Sequence, residues 1–302
     1  MRRFILLFLC LLFQAMAPAC AQGQRIWVAL GGQDANSLAL VKELRARLPD
    51  RELIVRPWRE FVAESAPAPK VVVAVGADAM DGMAAAATAW PRTTLVALLA
   101  PRANLERLAE DSGGRITGIY FDQPYPRLAQ FLRLAMPERR RIGILLGPGT
   151  LRYRGELVQA LRRAGLEEVI VAVTDRDDLP KALRTVLDDS QVLVAIPDSV
   201  VHNGNTAHHT LLAAFRQGVP MVGYSASYVK AGAAMGLVST PEQIGRQGAA
   251  MVADLLAGRA APAPQAPEEY EAMANANVTR SLGLSLDVEA LGRQLAGKRR
   301  AP

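Results

Sequence analysis

Short, unbroken apolar runs recur along this chain in two series, each run stopping at a Gly, Pro or Asp turn before an amphipathic segment. Val71 to Val75 is the clearest: five Val and Ala residues with no polar break, ending at Gly76-Ala77-Asp78. A strand without a polar side has no face to give to water. Strands of this kind belong to parallel sheets covered by helices on both faces. The first series comprises Ile26–Leu30, Leu53–Val55, Val71–Val75, Leu95–Leu99 and Ile116–Phe121. A helix is expected over Ser37–Leu48, with Leu38, Val41, Leu44 and Leu48 as its apolar stripe.

The chain breaks at Asp122-Gln123-Pro124-Tyr125-Pro126, and after a helix over Arg127–Met136 the pattern restarts. Strands Ile142–Leu146, Val169–Val173 and Val192–Ile196 alternate with helices Tyr153–Ala164, Leu179–Leu187 and Asn205–Gln217. Two β-α-β series of similar size predict an α/β chain of two Rossmann-like lobes with parallel sheets. Val219–Tyr224 then reads as a strand ending at a Gly-Tyr-Ser corner, and Gly232–Val238 as another. Thr240-Pro241 with Gln243 three after the threonine is a capping box that opens a helix. This order predicts that the chain leaves one sheet near Gly232 and enters the other.

The N-terminus is a separate device. Met1-Arg2-Arg3, the apolar Phe4–Phe13 and Ala19-Cys20-Ala21 have the three parts of a secretory signal, so residues 1–21 are expected to be removed on export. Both cysteines, Cys10 and Cys20, fall inside it. Cleavage after Ala21 leaves no disulfide, thiolate site or cysteine nucleophile. The competing reading, Cys20 as a lipidated first residue, lacks the usual aliphatic side chain three positions earlier, where Ala17 stands. Formal charge falls from +6 to +4 once Arg2 and Arg3 leave. Lys298-Arg299-Arg300 supplies part of the remaining excess, and residues 291–302 read as a flexible basic tail. No aromatics are interleaved with these cations, so nucleic acid is not an expected partner.

Enzyme and cofactor signatures are missing from the pattern. Gly147-Pro148-Gly149 follows a strand, but the next glycine, Gly155, comes three positions late for a dinucleotide fingerprint. Gly223-Tyr224-Ser225-Ala226-Ser227 lacks the second glycine of a nucleophile elbow. His202 and His208 are six apart, on different faces of a helix, and no Glu or Cys stands at metal-ligand spacing beside them or His209. No cofactor and no catalytic residue is expected.

In open parallel sheets ligands bind beyond the carboxyl ends of the strands. That rule selects Asp34, Ser37 and Asp78 in the first series, and Tyr125 at the break. In the second it selects Thr150, Asp198, Asn205, Tyr224, Ser225 and Tyr228. Each of Asp34, Ser37, Asp78 and Asp198 would also serve as a helix cap in a protein with no ligand. Trp27, Trp58 and Trp90 sit in or beside core segments, and packing is their expected role.

The stretch GYSASYVKAGAAMGLVSTPEQIGRQ, Gly223 to Gln247, resembles the substrate-binding proteins of bacterial ABC importers, in the tryptophan- and tyrosine-type group. Pro197-Asp198 with Asn205-Thr206, and Asn277 with Ser281-Leu282-Gly283, match the same pattern, which covers the last third of the chain best. The resemblance implies a type I periplasmic-binding fold whose chain crosses between lobes three times, near Tyr125, Gly232 and Pro264. Residues 24–124 plus 233–263 would form one lobe and 125–232 plus 264–290 the other. It implies a periplasmic monomer that takes a small polar ligand, an amino acid or related carboxylate, in the interlobe cleft and delivers it to an inner-membrane ABC permease. Within it, Asp198 is suited to a ligand ammonium and Asn205 to a carboxylate or amide. Two other readings share the pattern: an orphan ligand sensor with this fold, and an exported Rossmann-type enzyme.

Overall fold

The computed structural model describes residues 25–64 and 67–298. The expected leader, residues 1–21, and the last four residues lie outside them. The chain divides into two compact units. The first holds the residues up to Ala100, Leu108–Ile119 and Gly245–Gln265; the second holds Pro101–Arg107, Tyr120–Ile244 and Ala266 onward.

In the first unit the elements run β1 (Arg25–Leu30), α1 (Ala35–Arg47), β2 (Glu52–Pro57), α2 (Trp58–Ala63), β3 (Val71–Val75), α3 (Ala77–Ala86), β4 (Thr94–Ala100), α4 (Arg102–Glu110) and β5 (Ile116–Tyr120). The first turns of α4, and Tyr120, belong to the second unit. The sheet has the order β2-β1-β3-β4-β5. β1 pairs in parallel with β2 and β3, and β3 with β4. All five residues of β3 are buried, the two-sided cover its sequence predicts. On α1 the buried stripe is Leu40, Val41 and Leu44, while Leu38 is 56% exposed. Leu38 and Leu40 both keep helical spacing to Leu44 or Val41, and only packing against the sheet separates them.

The second unit continues with α5 (Tyr125–Ala135), β6 (Arg141–Leu146), α6 (Arg154–Arg163), β7 (Glu167–Ala172), α7 (Leu179–Asp189), β8 (Val192–Val194), α8 (Ala207–Arg216), β9 (Met221–Gly223), α9 (Ala226–Lys230), β10 (Met235–Val238), α10 (Pro241–Leu256), β11 (Glu271–Ala274), α11 (Ala276–Ser281) and α12 (Val288–Lys298). Its sheet has the order β11-β10-β9-β8-β6-β7, with β11 antiparallel to β10 at the edge.

Two expectations are corrected here. β10 pairs in parallel with β9 in the same sheet, so no change of unit occurs at Gly232. Gly232, at φ +131°, lets the chain turn back, and Ala234 N–H then bonds Met221 O while Ala234 O accepts from Asn275 N–H. The change of unit falls inside α10, between Ile244 and Gly245. Thr240 does open that helix: its N–H donates to Gln243 Oε1 at 2.9 Å and its hydroxyl accepts from Gln243 N–H at 3.2 Å. The second correction is the tail. Residues up to Lys298 form α12, because Leu291 and Leu295, one turn apart, are buried in the core beside Phe131 and Leu132.

Candidate functional site

In the first unit the strand order reverses between β1 and β3, and the loops that follow these strands lie side by side. Gly31 N–H donates to Val75 O at 3.0 Å. Asp34 is the N-cap of α1, its carboxylate accepting from Ser37 N–H at 2.9 Å, and Ser37 itself is buried. Asp78, in the first turn of α3, accepts from Trp58 Nε1 at 2.8 Å and lies 3.6 Å from the Arg59 guanidinium. Trp27 and Trp90 pack as expected, against Phe61 and against each other.

In the second unit the order reverses between β6 and β8, which brings Gly147–Thr150 to Pro197-Asp198. The Thr150 hydroxyl donates to Asp198 Oδ2 at 2.9 Å. Asp198 Oδ1 accepts from Val200 N–H at 2.8 Å and Val201 N–H at 3.3 Å. The buried carboxylate thus has three protein donors. It also explains the glycine after β6: a Cβ on Gly147 would stand 2.1 Å from Asp198 Oδ1. Asn205 is exposed, its N–H donating to Asn203 Oδ1 at 2.8 Å. Ser225 is the N-cap of α9 and accepts from Tyr228 N–H.

Tyr224 and Tyr228 stand in an aromatic row. Tyr224 stacks on Phe121 with ring centroids 5.7 Å apart, and its ring is 4.9 Å from that of Tyr228. Tyr228 in turn packs edge-on to His202, with its hydroxyl 3.4 Å from Nδ1. His202 is 2% exposed, its Nε2 has no hydrogen-bond partner among the described residues, and burial pushes its pKa down to about 4. His208 and His209 are exposed on α8.

A second centre surrounds Asp122, in the loop 122–125 that the carboxyl-end rule selects and of which Tyr125 alone is singled out from sequence as a site residue. This carboxylate is 8% exposed and accepts from Arg102 N–H at 2.8 Å; burial pushes its pKa up to about 7. The Arg102 side chain is turned to other carboxylates, Glu106 at 2.8 Å and Glu156 at 3.0 Å. Its guanidinium lies over the Tyr153 ring at 4.4 Å and within 5.5 Å of the Tyr125 ring centre. Tyr153 OH donates to Glu106 Oε2 at 2.8 Å. Burial raises the Tyr125 and Tyr153 phenols above their ordinary range. Asp122 also lines a small cavity of about 20 Å³ with Tyr125, Ile196, Pro197, Gly223 and Tyr224. The sequence signal for this centre was an acidic residue placed directly after a buried strand and between aromatics. Its partners Arg102 and Glu156 lie too far along the chain to be found by spacing.

Asp122 and His202 give opposed pH dependences. Asp122 is raised, so its contribution is full below the ordinary carboxyl value and is lost as pH rises through about 7. His202 is lowered, so its contribution is full above the ordinary imidazole value and is lost as pH falls towards about 4. Each displacement is worth about 3–4 kcal/mol at one pKa unit per ~1.4 kcal/mol. Between pH 7.5 and 4 the two largely offset in the wild type. Asp122→Asn is expected to lose about 4 kcal/mol more stability than wild type on this acidification, and His202→Gln about 3 kcal/mol less. Urea midpoints at both pH values check this; parallel curves for all three proteins refute it.

A family model described as "ABC transporter substrate binding protein" matches residues 24–288. No curated protein matches the chain significantly. Among solved structures, a conserved domain protein from Vibrio cholerae superposes with a TM-score of 0.64 at 21% identity, covering 89% of this chain and 97% of that one. The ABC domain in complex with L-Trp from Streptococcus pneumonia gives 0.63 at 15% identity, with 88% and 97% covered. A solute-binding protein of an ABC transporter from Agrobacterium vitis, bound to alpha-D-tagatopyranose, gives 0.52 at 14% identity, with 84% and 96% covered. These likenesses bear on the fold, which is the two-lobed periplasmic-binding architecture.

Proposed function

Because the chain belongs to the family of ABC transporter substrate-binding proteins, we propose that it captures a small polar organic molecule outside the inner membrane and delivers it to an ABC permease there. Residues 1–21 would direct its export, and it would act as a monomer without a cofactor or a chemical step. The observation that carries this reading is the pair of strand-order reversals, each lined at the carboxyl ends by small residues and short polar side chains. Helix N-termini beside them supply N–H groups suited to an anionic end of a ligand. An amino acid or related carboxylate is the ligand class put forward. One structural neighbour holds L-Trp and another a sugar, so the fold accommodates both kinds.

Of the residues selected from sequence, Tyr125, Tyr224 and Tyr228 are retained as ligand contacts, since their rings sit at the carboxyl ends of the second sheet. Asp34, Ser37, Asp78, Thr150, Asp198 and Ser225 already have protein partners, and the reading assigns them to shaping the loops that carry the ligand. Asn205, exposed at the loop edge, stays a contact.

A thermal-shift screen of residues 22–302 against amino acids, sugars, nucleosides and small carboxylates tests the reading. A ligand at 100-fold over its Kd should add about 2.7 kcal/mol, a rise of a few degrees. Recovery of the unaltered ligand by mass spectrometry supports a binding protein. A ligand returned chemically changed overturns it in favour of an enzyme.

A further inference from the structure

Among the described residues Asp122 forms no ion pair with a side-chain cation. Asp122, Glu106 and Glu156 gather around one guanidinium, Arg102, whose side chain is taken by the two glutamates. Asp122 receives backbone N–H groups, from Arg102 and from its own residue, and no side-chain donor among the described residues. Of the two further cations near this centre, Arg127 is turned to Gln123 Oε1 at 2.8 Å and to the carbonyl of Pro267, and Arg152 lies over the outer Tyr153 ring at 5.4 Å. The phenols of Tyr120, Tyr125 and Tyr224 complete the titratable groups facing Asp122, and burial holds all three above their ordinary range. A buried carboxylate without a cation of its own is a costly arrangement.

The cavity beside it has the size that a compensating group would need. At about 20 Å³ it takes a single water-sized group, and the rings of Tyr125 and Tyr224 line it together with Asp122. A primary ammonium is about as large as a water molecule, carries the missing charge, and is favoured by aromatic rings as well as by a carboxylate. Tyr224 is half-buried, so a ligand body can extend from the cavity past its ring.

We propose that the cavity between Asp122, Tyr125 and Tyr224 is the subsite for a primary ammonium group of the transported ligand, with Asp122 as its counter-ion. The proposal rests on the solute-binding reading above and narrows the ligand to an amine-bearing molecule. It also relocates the ammonium contact from Asp198, whose carboxylate is filled by Thr150, Val200 and Val201. Binding then depends on pH through Asp122: the site holds its cation when the carboxylate is ionised and releases it as pH falls below about 7.

The test is calorimetric titration of the mature chain with matched pairs: glycine and glycolate, L-serine and glycerate, L-tryptophan and indole-3-propionate, putrescine and 1,4-butanediol. Binding is expected from an ammonium member at pH 8, with its partner lacking the amine at least 30-fold weaker. Lowering the pH to 6 should weaken that binding about tenfold. Asp122→Asn keeps the acceptor for Arg102 N–H, and should cut affinity by 10- to 100-fold and abolish the pH dependence. Should Asp122→Asn fold poorly, the pH titration of the wild type decides alone. A partner without the amine binding within a few-fold of the amine, or an affinity independent of pH between 6 and 8, overturns the ammonium site while leaving a solute-binding protein. Silence from every pair and from the wider screen overturns both.

Discussion

Asp198→Ala is expected to destabilise the second unit by about 4 kcal/mol. The substitution removes the acceptor of three hydrogen bonds, and leaves the half-buried Val200 and buried Val201 N–H groups and the Thr150 hydroxyl without it. Hydrogen bonds to a charged group contribute roughly 1.5–3 kcal/mol each, and a buried donor left unpaired costs about 1–3 kcal/mol. Asp198→Asn keeps one acceptor oxygen for the two backbone N–H groups, so its cost should be nearer 1–2 kcal/mol. Thr150 can then donate to Gly147 O, which already stands 3.4 Å away. All six tyrosines lie in the second unit and all three tryptophans in the first. Urea unfolding followed by tyrosine absorbance should therefore move to lower denaturant while tryptophan fluorescence keeps its midpoint. An unmoved tyrosine transition with ligand binding lost would show that Asp198 serves the ligand rather than the fold.

That experiment separates two roles which residue type alone leaves together. The carboxyl-end rule led to Gly147–Thr150 and Pro197-Asp198, and the structure brings those loops into contact because β6 and β8 are neighbours in the sheet. Strand positions were legible for a similar reason. A run such as VVVAV has only one way to hide both faces, and its bounds were right to the residue. The capping box at Thr240 was legible because both of its bonds lie within four residues.

Features that depend on distant partners were not. Nothing local tells that β10 returns to β9 rather than leaving the sheet; that is decided by Met221, Ala234 and Asn275, far apart in sequence and joined by two backbone bonds. Leu38 and Leu40 have equal claims to the helix stripe until the sheet covers one of them. The Asp122 centre joins residues 102, 122 and 156, and its carboxylate takes its significance from burial, which a polar loop composition conceals. A tail rich in Lys and Arg masks the two leucines that dock it.

Gly118→Ala should be the most damaging change in the first unit, costing on the order of 4 kcal/mol or more as an overpacked, strained site. Gly118 stands in β5 with φ +155°, and a Cβ built there would lie 1.9 Å from the carbonyl oxygen and 2.7 Å from the carbonyl carbon of Ala97 in β4. The obstacle is backbone, so no side-chain rotation relieves it. Relief requires β5 to move away from β4, and two further groups resist that movement. Leu95 N–H bonds Arg115 O at 2.8 Å at the start of the strand, and Gln265 N–H bonds Gly118 O at 2.9 Å on its other side. Gly118→Ala should accordingly lower the tryptophan-detected midpoint while the tyrosine-detected one stays within experimental spread, the reverse of the Asp198→Ala pattern. Glycines with open space around the Cβ position, such as Gly155, give the control: Gly155→Ala, in the first turn of α6, should be neutral or slightly stabilising. Equal midpoints for the Gly118 and Gly155 variants would mean that β5 can shift freely, and the close approach of the two strands would not be what requires glycine at that position.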